Sequence, residues 1–283
     1  MNVLDICAGS GIGSLVVKGL GIGKTVCYVE WEPYCQKTIQ QRIEDGWLDD
    51  APIWDDLRTF DGQPWRGCVD LIMGGIPCQP WSSAGKRKGD ADERDLWPTF
   101  IELVRNVGPS YVLVENVPDI KSKRNAQAGM GRMLHDLADL GYVIEWDVLS
   151  ARGVGALHLR KRLWIVGYAD SQGELQQEGL ECQERGWAGD TGEEVSDPQC
   201  EGLERSSGER DKGEGRTGKQ PPGSNPRRSG PWTDEPSVDR VAYGVASRMD
   251  RIKSIGNGWV PQVAAIPLSR IARLHEMRTF QSG

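Results

Sequence analysis

The chain has 283 residues, 41 of them acidic and 34 basic, with a formal net charge of −7, 36 glycines and seven cysteines. Its length predicts one sizeable domain plus a smaller one, and the sequence has no apolar run of 18 or more residues that would predict a membrane span. The first residues lack the basic flank and long apolar stretch of a signal peptide, and the cysteines form no CxxC pair. We therefore expect a cytoplasmic protein with reduced cysteines, no disulfide framework and no metal site.

The negative charge is confined to one segment. Residues 171–240 hold 16 acidic and 9 basic side chains, which accounts for the whole net charge, and the rest of the chain is neutral. Within this segment, 174–204 is acidic and 205–228 is basic. The segment is also rich in glycine and proline and poor in apolar residues, a composition typical of loops or partial disorder.

Short apolar strands alternate with helices along the rest of the chain. This alternation predicts an α/β fold with a mostly parallel sheet that is covered on both faces. Strands are predicted at 2–7, 25–30, 69–73, 111–114, 142–149 and 163–166, and helices at 12–20, 33–45, 96–107, 126–140 and 263–277.

A glycine-rich turn, Asp5-Ile-Cys-Ala-Gly-Ser-Gly-Ile-Gly13, follows the first strand. Such a turn lets a ligand approach the backbone at the start of a helix. Glu30 closes the second strand about twenty residues later, where an acid commonly binds ribose hydroxyls, and Trp31 could stack on an adenine. The pattern fits S-adenosylmethionine, NAD or close packing without a ligand.

Cys78 follows a Gly-Gly-Ile-Pro turn at the end of an apolar strand. That position lies at the carboxyl edge of the sheet, where open α/β proteins have their active sites. Cys7, Cys27 and Cys68 lie in or beside apolar runs and are expected to be buried free thiols, and Cys35, Cys182 and Cys200 have no context that suggests more. Glu115 ends the next strand and is expected at the same edge, where burial would raise its pKa toward a proton-donating role. Helix capping or a surface position is the alternative for Glu115.

Five segments stand out along the chain: the DICAGSGIGS turn with Glu30-Trp31, then GGIPCQPWS, VENV, HLRKR and SIGNG. They occur in the order found in cytosine carbon-5 DNA methyltransferases. The chain resembles this family over 1–168 and 240–275, most closely the short bacterial and phage forms. The resemblance implies a Rossmann-like methyltransferase domain at 1–168 that C-terminal helices at 241–283 complete, and a small irregular target recognition domain at 169–240.

The resemblance also implies roles for single residues. Cys78 would be the nucleophile at ring position 6 of cytosine, Glu115 would protonate ring nitrogen 3, Arg160 would hold the ring carbonyl oxygen, and Arg162 would support that site. S-adenosylmethionine, which becomes S-adenosylhomocysteine, would be the cofactor, and no metal would be needed. The residues implied to bind this cofactor are Asp5, Cys7, Ala8, Gly9, Gly11, Glu30, Trp31, Asp56, Pro77 and Asn257. Those implied to face DNA are Gln79, Ser82, Lys86 and Arg87.

The implied substrate is double-stranded DNA, with the target base flipped into the pocket and the 82–95 loop closing behind it. The acidic stretch 174–204 is expected to face away from the phosphates. We expect a monomer without membrane contact, in the bacterial nucleoid or encoded by a phage, and a cognate restriction endonuclease is left open as a partner. The family has an aromatic residue where this chain has Cys7, which predicts weaker cofactor stacking.

Three alternatives remain at this point. The same chemistry could act on a tRNA cytosine, as in one branch of the family. The fold could bind DNA without catalysis, although the set of Cys78, Glu115 and Arg160 is intact. An NAD-dependent oxidoreductase would use the glycine turn but would leave Cys78 and Glu115 unexplained.

Overall fold

The computed structural model describes residues 1–77, 95–121, 129–169, 254 and 256–281. Seven strands and five α-helices, with short 3₁₀ turns between them, make up this part of the chain. The strands are β1 (Asn2–Ile6), β2 (Lys24–Val29), β3 (Ile53–Trp54), β4 (Leu71–Gly75), β5 (Tyr111–Asn116), β6 (Tyr142–Ser150) and β7 (Lys161–Ala169). The helices are α1 (Ile12–Leu20), α2 (Pro33–Glu44), α3 (Trp97–Val107), α4 (Met130–Asp139) and α5 (Pro261–Gln281).

The strands form one sheet in the order β3-β2-β1-β4-β5-β7-β6. The first five are parallel to one another, and β7 is antiparallel to both β5 and β6. The predicted α/β class and mostly parallel sheet are confirmed. The antiparallel insertion of β7 was not predicted, and it has a consequence for the site: β7 begins at the edge where β1, β2, β4 and β5 end.

Alternate residues of the central strands supply two separate cores. Leu4 and Ile6 of β1 point to the face covered by α3 and α4, where they join Phe100 and Leu137. Val3 points to the opposite face, which is covered by α1 and α5. Side chains alternate across a strand, so a continuous apolar run is what a sheet covered on both faces requires. Fully burying one such side chain contributes roughly 1.5–3 kcal/mol.

Several predicted boundaries shift in the structure. Strand β7 extends over Lys161 and Arg162, beyond the predicted apolar core at 163–166, because these polar residues pair with Ser150 and Leu149 of β6. The two-residue strand β3 was not predicted, being too short to show alternation. Helix α4 begins at Met130 rather than at 126, and residues 122–128 lie outside the described part.

The predicted target recognition segment lies outside the described residues apart from Ala169, so the domain boundaries remain predictions. Helix α5 packs against α1 and β7, which places the C-terminal segment on the sheet formed by the N-terminal part. Across the described ranges, no helix is both long enough and apolar enough to span a membrane.

Candidate active site at the carboxyl edge of the sheet

The turn after β1 has an unusual backbone. Cys7, Gly9 and Gly11 have positive φ angles of 48°, 57° and 76°. A Cβ at Gly11 would lie 2.7 Å from Leu48 Cδ1, whereas a Cβ at Gly9 would meet nothing within 4 Å. Gly11 is therefore needed for packing and backbone conformation, and Gly9 faces open space where a ligand could approach the backbone.

Glu30, at the end of β2, is bound to this turn. Its Oε2 accepts a hydrogen bond from the backbone N–H of Gly9 at 2.7 Å, and its Oε1 accepts one from Glu32 at 2.8 Å. The side chain is buried, whereas the neighbouring Trp31 is 67% exposed. A fixed carboxylate beside an exposed indole is an arrangement that can bind a ribose and stack on an adenine ring.

A buried polar chain supports the turn from inside. Ser14 Oγ donates to Asp5 Oδ2 at 2.6 Å, and Thr25 Oγ1 donates to Ser14 Oγ at 2.8 Å. Burial raises the pKa of Asp5 to about 7, against the lowering effect of the Ser14 hydrogen bonds, and the nearby Glu30 charge raises it further. The carboxyl group of Asp5 is thus held by Ser14, in the first turn of α1.

The other predicted cofactor residues lie on connecting segments: Cys7, Asp56 and Pro77 follow the carboxyl ends of β1, β3 and β4, and Asn257 precedes α5. Asp56 accepts from the backbone N–H of Arg58 at 2.9 Å and lies 3.5 Å from its guanidinium. Asn257 is exposed, and so is Pro77. Burial, followed by the charges of Glu30 and Asp5, raises the pKa of the Cys7 thiol to about 12, so Cys7 is a neutral and unreactive thiol.

Glu115 is the second-last residue of β5 and lies at the same edge, where it pairs in register with Gly75 of β4 and Trp164 of β7. Its Oε1 lies 2.8 Å from Nε of Arg162. The side chain is 10% exposed, and burial raises its pKa to about 6, while the charges of Arg162 and then Arg160 pull it down. The expected increase in the pKa of Glu115 is therefore confirmed. Because β7 is antiparallel, its first residues meet the end of β5, which brings Arg162 to Glu115.

Arg160 precedes β7 and has a φ of 23°, in the left-handed region that side chains rarely adopt. Such a backbone costs of order 1–3 kcal/mol and persists only where the surroundings hold it. Here the guanidinium donates to the carbonyl oxygens of Gly256 at 2.8 Å and Gly258 at 2.5 Å. Arg160 thereby fixes the Gly256–Gly258 segment next to the first residue of β7.

Trp259 was not predicted as part of the site. A Cβ at Gly13 would lie 2.9 Å from Trp259 Cζ3, and one at Gly75 would lie 3.1 Å from Trp259 Nε1. The indole also packs edge-on against Trp164, with ring centroids 4.9 Å apart, and its N–H lowers the pKa of Glu115. In the sequence, the one sign of a role for Trp259 is its position directly after Gly-Asn-Gly. Its contacts with Gly13 and Gly75 could not be predicted, because these glycines are distant in the sequence.

Some predicted residues lie outside the described part of the chain. These are Cys78 and all four residues expected at DNA: Gln79, Ser82, Lys86 and Arg87. Strand β4 ends at Gly75, beside Glu115, and the chain leaves the sheet there through Ile76 and Pro77. The proximity of Cys78 to Glu115 and its thiolate character therefore remain predictions. No group of three or more metal-ligating side chains is present within the described ranges.

Comparison with known proteins bears directly on this arrangement. Residues 1–201 match the family model for C-5 cytosine-specific DNA methylase. The chain belongs to this family. Among its curated relatives, the Type II methyltransferase M.NgoMIV of Neisseria gonorrhoeae is 36% identical over 168 residues, and M.HpaII of Haemophilus parainfluenzae is 31% identical over 173 residues. These alignments cover 58% and 60% of the chain but only 50% and 46% of the relatives, so the chain spans about half the length of the curated relatives it matches.

One solved structure shares the fold of this chain. A methyltransferase of Entamoeba histolytica, EhMeth, has a TM-score of 0.50 at 16% identity, covering 65% of this chain and 57% of its own. A putative DNA modification methyltransferase encoded within an Escherichia coli prophage has 24% identity and a TM-score of 0.49, over 60% of this chain and 47% of its own. At 16% identity, the likeness to EhMeth concerns the fold alone.

Proposed function

We propose that this chain transfers a methyl group from S-adenosylmethionine to carbon 5 of cytosine in duplex DNA. The observation that carries the proposal is Glu115, a buried carboxyl group with a pKa raised to about 6, bound to Arg162 beside the strand that leads toward Cys78. A carboxyl group that titrates near neutral pH can donate a proton to a ring nitrogen. Membership of the C-5 cytosine-specific DNA methylase family supports this assignment.

The proposed chemistry needs a nucleophile and a proton donor. Carbon 5 of cytosine is a poor nucleophile until a thiolate adds at position 6, which converts the ring into an enamine. Cys78 would form this bond, and Glu115 would protonate ring nitrogen 3 and so offset the developing charge. Carbon 5 would then take the methyl group, water would accept the position-5 proton as the Cys78 thiolate departs, and ring nitrogen 3 would return its proton to Glu115, which restores the aromatic ring. The Arg160 guanidinium donates two hydrogen bonds to backbone carbonyl oxygens. Because a guanidinium has five N–H donors, others are left for the carbonyl oxygen of the cytosine ring.

The residues of the first turn fit S-adenosylmethionine, whose sulfonium supplies the methyl group. Open space above Gly9 admits a ligand to the backbone, and the Glu30 carboxylate is held next to it. The exposed face of Trp31 suits an adenine ring. We assign the remaining cofactor contacts to Asp56, Asn257 and the backbone of the turn. Cys7 provides no aromatic wall, so most of the stacking energy would come from Trp31.

Duplex DNA is the proposed partner, with the target base flipped out of the stack because its reacting carbons are otherwise inaccessible. The curated relatives are named Type II methyltransferases, and such a modification role would pair the chain with a restriction endonuclease. We assign target recognition to 169–240 and DNA contacts to Gln79, Ser82, Lys86 and Arg87. A monomeric protein in the bacterial cytoplasm completes the proposal. The family description names DNA and so favours DNA over tRNA, and the Glu115–Arg162 pair disfavours a catalytically inactive relative.

The test is methyl transfer from radiolabelled S-adenosylmethionine to a mixed pool of unmethylated duplex DNA, with tRNA in a parallel reaction. We expect label in DNA alone, at 5-methylcytosine after nucleoside digestion. Cys78→Ser should abolish it. Cys68→Ser should retain it, because Cys68, which the sequence predicts to be buried, is exposed in the structure and precedes β4, away from the carboxyl edge of the sheet. Label in tRNA alone, or full activity of Cys78→Ser, would contradict the proposal.

A further inference from the structure

The indole of Trp259 fills a gap between two elements of the site. One end of the ring approaches Gly13, at the start of α1, and the other approaches Gly75, at the end of β4. At both positions a methyl group would fall 2.9–3.1 Å from the ring, closer than side-chain carbons normally come. The ring is supported from behind by Trp164. The indole is therefore held between β4 and the Asp5–Gly13 turn, which is called the cofactor turn below because of its proposed role.

The same indole faces the carboxylate of Glu115. The two carboxylate oxygens have different neighbours: Oε1 lies 2.8 Å from Arg162 Nε, whereas Oε2 lies on the Gly75 side. A Cβ built on Gly75 would be 3.1 Å from Trp259 Nε1 and 3.2 Å from Glu115 Oε2, which shows that these two atoms flank one point. The Trp259 N–H therefore lies on the side of Glu115 that faces Gly75, and it lowers the pKa of the Glu115 carboxyl group. The guanidinium and the indole thus fix the carboxylate from two directions.

We propose that Trp259 is a positioning residue that orients the Glu115 carboxylate and ties it to the cofactor turn. The inference rests on the proposed function, because it assigns Glu115 the role of proton donor. An N–H that donates to a carboxylate favours its charged form, as do the two cations that face Glu115, Arg162 and Arg160. Removing the indole N–H should therefore raise the pKa of Glu115 and let its side chain rotate.

The same arrangement explains why residue 75 is a glycine. A methyl group there would collide with both the indole nitrogen and the carboxylate oxygen, so Gly75→Ala should separate the two groups without removing either. This gives a second variant that perturbs the contact by geometry rather than by chemistry. If the contact matters, both substitutions should change the reaction in the same direction.

The decisive variant is Trp259→Phe, which keeps an aromatic ring at this position but removes the indole N–H together with the second ring. The matched control is Trp146→Phe, which makes the same change in β6, where the side chain is partly buried against the core and, among the described residues, its indole nitrogen has no hydrogen-bond partner. Single-turnover methylation would be measured from pH 6 to 9 with saturating DNA and S-adenosylmethionine. The protonated form of Glu115 is the donor, so its pKa sets the descending limb of the profile.

We expect Trp259→Phe to move the descending limb upward by about 0.5–1 pH unit. The maximal rate should fall about tenfold, less than the roughly 10²–10⁴ expected for loss of the acid itself. The dissociation constant for S-adenosylmethionine, measured by calorimetry, should stay within about threefold, and Trp146→Phe should resemble the wild type. A lower rate with an unmoved profile, or a change in cofactor affinity alone, would reduce Trp259 to a packing residue and overturn the inference.

A second measurement does not depend on catalysis. The folded-state pKa of Glu115 lies above its ordinary value of 4.5, so the stability associated with the group is present below pH 4.5 and is lost as pH rises through about 6. In Trp259→Phe the decrease in the free energy of unfolding should continue to higher pH, because the pKa of Glu115 is higher. This extension should be absent from the double variant that also carries Glu115→Gln. If the wild type is inactive but this extension appears, the proposed function fails and the contact stands. If the wild type is active and the extension is absent, the inference alone fails.

Discussion

The buried carboxyl group of Asp5 should make the stability of the protein fall with increasing pH. Asp5 is 2% exposed, and its pKa is raised from 3.8 to about 7. Between these two values the folded state binds a proton that the unfolded state has lost, so the free energy of unfolding decreases as pH rises. Below pH 3.8 this contribution is fully present, and above about pH 7 it is gone.

The size of the effect follows from the shift. Each pKa unit corresponds to about 1.4 kcal/mol, so between pH 5 and pH 8 the titration of Asp5 alone should destabilise the fold by about 3 kcal/mol. Asp5→Asn removes the ionisation and retains an oxygen that can accept the hydrogen bond from Ser14 Oγ. The variant should therefore lose less stability than the wild type over the same interval.

Urea denaturation followed by circular dichroism at pH 5, 6, 7 and 8 measures this difference directly. We expect the difference in unfolding free energy between pH 5 and pH 8 to be larger in the wild type than in Asp5→Asn, by about 3 kcal/mol. A uniform loss of stability in the variant would not affect the comparison, because it cancels between the two pH values. Identical pH dependence in the two proteins would refute the reasoning.

Further variants test other parts of the site. Arg162→Met removes the cation next to Glu115, and it should raise the pKa of this acid by about 1 unit or more, seen as an upward shift in the descending limb of the methylation profile. Gly11→Ala places a Cβ 2.7 Å from Leu48 at a φ of 76° and should destabilise by about 1–3 kcal/mol, whereas Gly19→Ala meets nothing within 4 Å and should be neutral or stabilising in urea denaturation. Trp31→Ala should weaken S-adenosylmethionine binding by roughly 5–10-fold in calorimetry without lowering the melting temperature, since Trp31 is 67% exposed.

The parallel part of the sheet could be predicted because its strands are continuous apolar runs. The patterns at 2–7, 25–30 and 111–114 show both the strand and its burial on two faces, and the structure has strands there. The position of β7 could not be predicted in the same way. Its apolar core is equally compatible with a parallel or an antiparallel partner, and the choice depends on tertiary pairing with β5 and β6.

The same limit applies to the candidate site. The position of Glu115 at the end of a buried strand predicted both its location and the direction of its pKa shift. Its pairing with Arg162 depends on the antiparallel direction of β7, and its contact with Trp259 joins residues 144 positions apart in the sequence. Contacts of this kind leave no local periodicity. A glycine whose missing side chain makes room for a distant ring, such as Gly75, is visible only in three dimensions.

The glycine turn illustrates a third case. The sequence predicted a ligand-binding turn at Asp5–Gly13, and the structure has three positive φ angles there. It also shows that both acids accept hydrogen bonds from the protein: Asp5 from the Ser14 hydroxyl and Glu30 from the backbone N–H of Gly9. Sequence patterns predicted which residues gather at the turn, but not that two of the acids form hydrogen bonds within the protein.

The central claim is that Cys78 forms a covalent bond with cytosine in duplex DNA. It is tested most directly by incubating the protein with S-adenosylmethionine and duplex DNA that contains 5-fluorocytosine, in which the fluorine cannot leave as a proton does and the adduct is trapped. We predict a denaturation-resistant protein–DNA complex whose modified peptide contains Cys78, and no complex with Cys78→Ser. A complex attached to another residue, or one that persists in Cys78→Ser, would contradict the account.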